Sequence, residues 1–237
     1  MASFVFVPGG WHGGWCWKKV RGILTGQGHT VFAPSLTGLG ERRHLLSPNV
    51  NLETHIEDVA SLLEWEELEE VVLCGHSYGG AVISGAAERQ ADRIGAVVYV
   101  DALLLENGER VCDVLPKSSF AQVEAAALEF GDGWRAPPAP ALRYGVNEAD
   151  RDWVDRRCTP HPLATFLQPL RLTGGLERVA QKTYIYATGW GDGTSLQKSY
   201  ERAKALGWRT LEFPCGHDVM VDMPEALAGE LMAASGG

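Results

Sequence analysis

The chain of 237 residues is long enough for one α/β domain with an insertion or for two small domains, and no linker or low-complexity stretch divides it. Hydrophobic residues at 45% and charged residues at 22% are ordinary for a globular protein with a sizeable core, which excludes disorder for most of the chain. The net charge of -9 argues against nucleic acid or an anionic membrane surface as a partner, because either would require a basic face.

The beginning of the chain has none of the features of a secretory signal. Met1 and Ala2 lead directly into the apolar residues 3–7, with no basic segment and no long apolar segment before them. No apolar run approaches the roughly 18 residues that a membrane-spanning helix needs. The five cysteines are scattered, without the paired spacing of a zinc site or the density of a disulfide framework. We therefore expect a protein of the reducing cytoplasm with no bound metal.

Short apolar runs rich in β-branched residues recur along the chain, separated by stretches with helical spacing. The predicted strands are residues 4–7, 30–33, 71–74, 96–100, 183–187 and 210–213. The predicted helices are residues 17–27, 52–66, 80–89, 195–206 and 224–234. Alternation of this kind predicts an α/β fold with a mostly parallel six-stranded sheet and helices on both faces.

The interval from about Leu104 to Val179 does not continue this alternation of strands and helices. It is rich in proline and in large aromatic residues, and it has no clear strand. We predict a mostly helical cap over residues 104–179, inserted after the strand that ends at Val100, where loops beyond the carboxyl edge of a sheet build pockets. The core would then consist of residues 1–103 and 180–237. The alternative is a loosely packed lobe with no substrate role.

The segment 74–79, Cys-Gly-His-Ser-Tyr-Gly, lies between a predicted strand and a predicted helix. The pattern Gly-x-Ser-x-Gly in this context is typical of a nucleophile elbow, a strained turn that lifts a serine hydroxyl clear of the sheet. Gly75 and Gly79 would let the strand and helix backbones pass closely. The pattern predicts that Ser77 is a nucleophile.

A serine nucleophile needs a general base, and His217 is the candidate. It follows the last predicted strand and precedes the final helix, so we expect it at the same edge of the sheet as Ser77. The backbone amides of Gly10 and Tyr78 are the candidate oxyanion donors, from the glycine-rich loop after the first strand and from the residue after the nucleophile. Four other histidines are interpreted as surface or core residues: His29, His44, His55 and His161.

Residues 8–17, 36–42, 75–80 and 216–221 together resemble the α/β-hydrolase superfamily. The branch they resemble is that of small esterases, which includes plant methyl-salicylate and methyl-jasmonate esterases, hydroxynitrile lyases, and bacterial carboxylesterases of the pyrethroid-hydrolase kind. The resemblance covers nearly the whole chain apart from the cap. It implies an α/β-hydrolase fold and ester hydrolysis without a cofactor.

Two positions depart from the family pattern. Plant members carry histidine at the position of Pro8, and their triad acid aligns best with Trp190 of this chain. Asp192 would supply the acid from a shifted loop, but it stands between glycines, where a turn-forming aspartate needs no catalytic explanation. Asp101 ends an apolar strand, where a carboxylate needs a partner such as an imidazole that becomes cationic. We favour Asp101 over Asp192 as the triad acid.

The predicted function is hydrolysis of a carboxylic ester through an acyl-enzyme on Ser77, with His217 as base and with no cofactor or metal. The small-molecule ester would have a hydrophobic or aromatic portion, because Trp11, Trp134 and Trp153 are candidate substrate-binding residues.

Several alternatives remain open at this point. Asp218 and Gly9 replace the lysine and threonine of a hydroxynitrile lyase of this branch, so cyanohydrin cleavage is not expected. Asp218 would add negative potential beside the base and disfavour strongly anionic substrates. A lactone or amide hydrolase, a cofactor-free non-hydrolytic member of the fold, or a small-molecule binding protein with vestigial activity would fit the same motifs. The sequence leaves open whether the protein forms a homodimer.

Overall fold

The protein is described by a computed structural model that covers residues 1–191 and 195–236. The strands within these residues are β1 (Ser3–Val7), β2 (Thr30–Phe32), β3 (Val71–Ser77), β4 (Ile94–Ala102), β5 (Arg135–Ala136), β6 (His161–Pro162), β7 (Gln181–Ala187) and β8 (Arg209–Phe213). The α-helices are α1 (Lys18–Gly26), α2 (Leu52–Trp65), α3 (Gly79–Gln90), α4 (Val111–Val114), α5 (Lys117–Phe130), α6 (Glu148–Asp155), α7 (Ala164–Leu167), α8 (Gly175–Arg178), α9 (Ser195–Ala205), α10 (Val219–Asp222) and α11 (Pro224–Ala234). None of the helices in the described part of the chain has both the length and the apolar character needed to cross a bilayer.

Six strands form one sheet in the order β2-β1-β3-β4-β7-β8, and every neighbouring pair is parallel. The prediction of a six-stranded sheet is confirmed, and all six predicted strands are present. The strands β3 and β4 run further than predicted, so that β3 ends at Ser77 and β4 includes Asp101. Both residues therefore stand at the carboxyl edge of adjacent strands.

Helices cover both faces of the sheet because the strands are apolar on both sides. Val5 and Val7 face a buried cluster that includes residues of α2, α3 and α9. Phe4 and Phe6, which alternate with them along β1, face a second cluster that includes residues of α1 and α11. The sheet is thus buried between two helical layers, and its edges carry the loops that build the site.

The segment 104–179 contains the helices α4 to α8, of which α5 has 14 residues and the others four to eight, and an antiparallel pair, β5 with β6. The expectation that this segment has no strand was wrong, because two-residue strands such as β5 and β6 are too short to give an apolar run in the sequence. Helix α5 buries only Ala127, so its other residues are exposed or half-buried. The domain boundaries drawn at residues 103 and 180 stay a prediction.

Candidate active site

The turn at Ser77 has the geometry expected of a nucleophile elbow. Ser77 is the last residue of β3 and has a φ of +52°, a left-handed conformation that is strained for a residue with a side chain. A Cβ atom on Gly75 would lie 2.6 Å from the carbonyl oxygen of Gly79, and one on Gly79 would lie 2.8 Å from the carbonyl oxygen of Pro8. Strand, turn and helix are therefore packed so tightly that glycine is required at both positions.

His217 and Asp101 are joined by a short hydrogen bond. The Nδ1 atom of His217 lies 2.6 Å from Oδ2 of Asp101, and the carboxylate is fully buried. Because the carboxylate accepts, Nδ1 carries the hydrogen and Nε2 is left as the basic nitrogen. Asp101 also accepts from the amide of Ala187 at 3.1 Å and from the indole N–H of Trp190 at 3.0 Å. Three donors thus fix the orientation of this carboxylate towards His217.

The structure brings Asp101 to His217, whereas Asp192 lies outside the described residues. Trp190 stands where the resembled family carries its triad acid, and here its indole donates to the carboxylate of Asp101. Its ring also packs against the imidazole of His217, with 4.6 Å between the ring centroids. A tryptophan at this position therefore supports the Asp101–His217 pair instead of supplying a carboxylate.

Ser77 and His217 border the same cavity, which has a volume of about 250 Å³. Most of its wall is apolar, and most of the residues that line it belong to the segment 104–179. The lining residues are Trp11, Ser77, Tyr78, Leu103, Val111, Leu115, Pro116, Ser119, Gln122, Val123, Ala126, Pro137, Pro138, Ala139, Arg143, Tyr144, Phe166, Trp190, Leu196 and His217. Arg143, whose Nη2 donates to Oε1 of Gln122 at 3.1 Å, is a polar element of this wall that the sequence analysis missed.

The three tryptophans predicted to bind substrate occupy different environments. Trp11 borders the cavity, whereas Trp134 and Trp153 are not among its lining residues. Trp153 packs edge to face against Trp15, with 5.0 Å between the ring centroids. Trp134 lies beneath the guanidinium of its neighbour Arg135. Spacing along the chain gave no means of separating the tryptophan that faces the cavity from those that pack elsewhere.

The candidate oxyanion donors lie on either side of the nucleophile. Tyr78 borders the cavity and precedes the first turn of α3, where the helix dipole favours negative charge. Gly10 is buried and precedes Trp11, whose φ of +64° is again left-handed. The carbonyl oxygen of Gly10 accepts from Nδ1 of His12 at 2.8 Å.

A buried cluster behind His217 was missed by the sequence analysis. The carboxylate of Asp218 is fully buried and lies 3.1 Å from Nε2 of His12 and 3.7 Å from Nε2 of His76. Burial opposes the charge on Asp218, but the attraction and hydrogen bond of His12 hold the pKa of its carboxyl below the usual range. Nε2 of His76 donates to the carbonyl oxygen of His217 at 3.0 Å. No local pattern indicates these contacts, because His12 and Asp218 are far apart along the chain.

The position of Asp218 corrects one expectation. Its carboxylate faces the imidazole of His12 in the interior, and Asp218 is not among the residues that line the cavity. The charge is compensated locally, so it does not project negative potential onto a bound substrate. Repulsion of anionic substrates by Asp218 is therefore not supported.

The sequence matches the model of the alpha/beta hydrolase family over residues 4–230. It is 46% identical over 243 residues to the carbendazim hydrolyzing esterase of Nocardioides sp. (strain SG-4G), with 98% of this chain and 99% of that protein covered.

Two solved structures share the fold. An extracellular alpha/beta-hydrolase from a Paenibacillus species superposes with a TM-score of 0.85 at 24% identity, covering 99% of each chain. A pyrethroid hydrolase from Sphingobium faniae JZ-2 superposes with a TM-score of 0.74 at 23% identity, covering 100% of this chain and 98% of the other.

Proposed function

The chain belongs to the alpha/beta hydrolase family and is a hydrolase of carboxylic esters; from that premise we propose that it acts through a serine nucleophile on a small ester with an apolar or aromatic portion. The observation that carries the mechanism is the 2.6 Å bond between Asp101 and His217, beside a cavity that Ser77 also borders. This arrangement supplies a nucleophile, a base and a group that orients the base.

In the first half of the reaction, Nε2 of His217 takes the proton of the Ser77 hydroxyl while Oγ attacks the ester carbonyl carbon. The amides of Gly10 and Tyr78 donate hydrogen bonds to the oxyanion that forms. When the tetrahedral intermediate collapses, the bond to the alkoxy oxygen breaks and His217 returns the proton to the departing alcohol. The product of this half-reaction is an acyl-enzyme on Ser77.

In the second half, water replaces the alcohol. His217 takes a proton from the water as it attacks the acyl carbon, and the carboxylic acid leaves as the proton returns to Oγ of Ser77. Asp101 keeps Nδ1 protonated throughout, and its negative charge stabilises the imidazolium that forms twice in each turnover. Every proton transfer in this scheme is performed by side chains and water.

The cavity favours a compact, mostly apolar substrate. Its volume of about 250 Å³ suits an aromatic acid with a small alcohol, and its walls are mostly apolar. We propose that the segment 104–179 acts as a cap that selects the acid portion, with Arg143 and Gln122 offering the polar contacts. The Nocardioides relative is named for hydrolysis of carbendazim. Carbendazim is a methyl carbamate of a flat bicyclic amine, so we include this compound among the proposed substrates.

The test compares wild type with Ser77→Ala on p-nitrophenyl esters of increasing acyl length, on methyl benzoate and on carbendazim. Wild type should hydrolyse the short and aromatic esters, and Ser77→Ala should lose about four to six orders of magnitude in kcat. Ser118→Ala, which changes an exposed serine of α5, is the matched control and should keep full activity. A folded wild type that hydrolyses none of these compounds would favour a binding role.

A covalent readout identifies the nucleophile independently of turnover. An aryl fluorophosphonate should label wild type at Ser77, located by peptide mass spectrometry, and should leave Ser77→Ala unlabelled. Labelling of another residue, with Ser77 unmodified, would contradict the assignment.

The reducing cytoplasm remains our proposed location, supported by five cysteines that are all free. Fractionation of cells that express the untagged protein tests this. A homodimer also stays a prediction, which size-exclusion chromatography with light scattering would decide.

A further inference from the structure

The peptide unit between Gly10 and Trp11 has both of its polar groups bonded to imidazoles. Its carbonyl oxygen accepts from Nδ1 of His12 at 2.8 Å, and its N–H donates to Nδ1 of His161 at 3.2 Å. We propose that His12 and His161 form a clamp that fixes this peptide plane and thereby positions the Gly10 amide for the oxyanion. The inference rests on the serine mechanism proposed above, and both histidines would be positioning residues.

The glycine-rich loop that carries Gly10 needs such support, because the backbone of Trp11 is strained and the backbone of Gly10 is conformationally free. Trp11 has a φ of +64°, which costs about 1–2 kcal/mol for a residue with a side chain. Gly10 has no Cβ, so its φ and ψ are restricted least. Fixing the Gly10–Trp11 peptide plane fixes ψ of Gly10 and occupies the amide of Trp11. The amide of Gly10 is then the donor that this stretch can offer to a substrate.

His12 must carry a hydrogen on both nitrogens to make its contacts. Nδ1 faces the carbonyl oxygen of Gly10 at 2.8 Å, and Nε2 faces the carboxylate of Asp218 at 3.1 Å, and both partners are acceptors. The imidazolium also stacks on the indole of Trp15, with 5.3 Å between the centroids. Burial lowers the pKa of His12, but the charges and hydrogen bonds of Asp218 and Cys158 together outweigh burial, and the pKa is raised well above the ordinary value.

Two further titratable groups face the imidazole of His12. Sγ of Cys158 is 4.0 Å from its Nε2, and the ring of His76 lies edge-on with 5.9 Å between the centroids. Burial, followed by the charge of His217, lowers the pKa of His76 well below the ordinary value. His76 is therefore neutral near pH 7 and does not compete with His12 for the positive charge.

His161 must be neutral and protonated on Nε2. Its Nδ1 accepts from Trp11, so it cannot carry a hydrogen. Its Nε2 lies 2.8 Å from the Thr165 hydroxyl, which already donates to the carbonyl oxygen of Pro162 at 2.7 Å, so Nε2 is the donor. Burial lowers the pKa of His161 well below the ordinary value, and the positive charge of His12 lowers it further. The clamp thus pairs an imidazolium with a neutral imidazole.

The remaining groups around His161 favour the same state. The rings of Tyr78 and His55 lie against it, with centroid separations of 4.9 Å and 5.9 Å. Burial raises the pKa of the Tyr78 hydroxyl and lowers that of His55 to about 4, so both are neutral near pH 7. None of these neighbours supplies a negative charge that would stabilise a protonated His161.

The test replaces a histidine with asparagine or glutamine, because the side-chain amide of each can substitute for one of the two imidazole nitrogens. The side-chain oxygen of His161→Asn reaches the place of Nδ1 and can still accept from Trp11. The longer side chain of His161→Gln reaches the place of Nε2 and leaves the Trp11 amide without its acceptor. We expect His161→Gln to lower kcat for a p-nitrophenyl ester about 100-fold with KM changed less than threefold, and His161→Asn to restore kcat to within about tenfold of wild type.

His12 gives an independent pair of variants. His12→Asn keeps a donor for the carbonyl oxygen of Gly10, and His12→Gln keeps a donor for Asp218. Because only His12→Asn keeps the bond to Gly10, this variant should preserve more of kcat than His12→Gln. Affinity for an aryl trifluoromethyl ketone, whose adduct with Ser77 carries an oxyanion, should fall in parallel with kcat, while affinity for the product acid should not. This split separates loss of oxyanion positioning from a general loss of packing.

A spectroscopic measurement on wild type tests the protonation states without any variant. Long-range ¹⁵N NMR at pH 7.5 should show His12 protonated on both nitrogens and His161 as the neutral Nε2–H form. The opposite assignment, or equal kcat in the Asn and Gln variants of both histidines, would overturn the clamp. In that case wild type would still hydrolyse esters and be labelled at Ser77. Failure of the serine mechanism would instead remove both the hydrolysis and the label.

Discussion

The two walls of the cavity are built on different principles. The wall formed by the sheet edge, which we call the core wall, holds Ser77 and Asp101 in left-handed conformations, with φ of +52° and +43°. It also carries the buried, hydrogen-bonded pair of Asp101 with His217. The wall formed by the segment 104–179, which we call the cap wall, presents mainly apolar side chains from helices such as α5, which buries only Ala127.

The difference assigns separate tasks to the two walls. Strain and buried polar bonds persist only where the surrounding structure enforces them, so the core wall is suited to fixing reacting atoms. Half-exposed apolar side chains on helices outside the sheet can change without disturbing the sheet, so the cap wall is suited to selecting substrates. Changes in the core wall should therefore affect kcat or folding, and changes in the cap wall should affect which ester is accepted.

The largest expected effect in the core wall follows from Asp101→Asn. The amide cannot stabilise the imidazolium and favours the wrong tautomer of His217, so kcat should fall by about four orders of magnitude, with KM nearly unchanged. Ester hydrolysis under saturating substrate measures this. Asp192→Asn is the matched control and should stay within about threefold of wild type. Near-normal activity of Asp101→Asn, with loss in Asp192→Asn, would reverse the assignment of the acid.

The second prediction concerns space in the core wall. A methyl group on Gly75 would meet the carbonyl oxygen of Gly79 at 2.6 Å, so Gly75→Ala should destabilise the fold by about 3 kcal/mol. Gly22, within α1, has no heavy atom within 4 Å of the place of a Cβ. Gly22→Ala should stabilise the protein by about 0.5–1 kcal/mol. Urea denaturation gives both values, and a neutral Gly75→Ala would contradict the tight packing of the elbow.

The third prediction is acid sensitivity of the helical layer behind the core wall, where His55 of α2 lies 2.9 Å from the hydroxyl of Tyr78. Burial lowers the pKa of His55 from 6.5 to about 4, against the hydrogen bond to the carbonyl oxygen of Thr37, which raises it. Unfolded chains bind a proton below about pH 6.5 whereas the folded protein does not, so the stabilisation is complete above pH 6.5 and is lost towards pH 4. The loss from this residue should be about 3 kcal/mol.

The measurement is the free energy of unfolding from urea titrations between pH 7 and pH 4.5. His55→Gln removes the titrating group while an amide can still donate towards Thr37. The variant should lose less stability than wild type over this range. If the free energy of unfolding depends on pH identically in the two proteins, His55 does not titrate as its burial requires.

The smallest expected effect comes from the cap wall. Ala126 borders the cavity, so Ala126→Leu should lower kcat/KM about tenfold for the longest p-nitrophenyl ester that wild type accepts and leave the acetate within about twofold. Ala125→Leu, on the exposed side of the same helix, is the control and should leave the whole series unchanged. A uniform loss across the series in Ala126→Leu would mean that the cap wall also positions the reacting atoms.

Local patterns predicted much of the core wall. The strand before Ser77 and the helix after it could be predicted, because an apolar run precedes Ser77 and a run of small and apolar residues follows it. Asp101 was preferred because a carboxylate at the end of an apolar strand needs a partner, and it lies 2.6 Å from His217. Both arguments depend on neighbours within a few residues or on the position at a strand end, and sequence carries that information directly.

Such arguments could not predict which residues form the cap wall or which contacts the buried histidines make. Trp134 and Trp153 were expected at the substrate, yet Trp11 borders the cavity and those two do not. His161 was interpreted as a surface or core residue; it is buried, and it accepts from the amide of Trp11, 150 positions away, which no local pattern indicated. Short helices and two-residue strands leave no periodic signal that would have placed these residues.

The sequence by itself determined the parallel sheet, the elbow at Ser77 and the edge on which His217 lies, because each follows from hydrophobic pattern and chain order. The tertiary structure decided which aspartate meets His217, which of the three predicted tryptophans borders the cavity, and how His12 and Asp218 form an ion pair in the interior. Those outcomes depend on distances and burial between residues far apart in the chain, and only the packed fold fixes them.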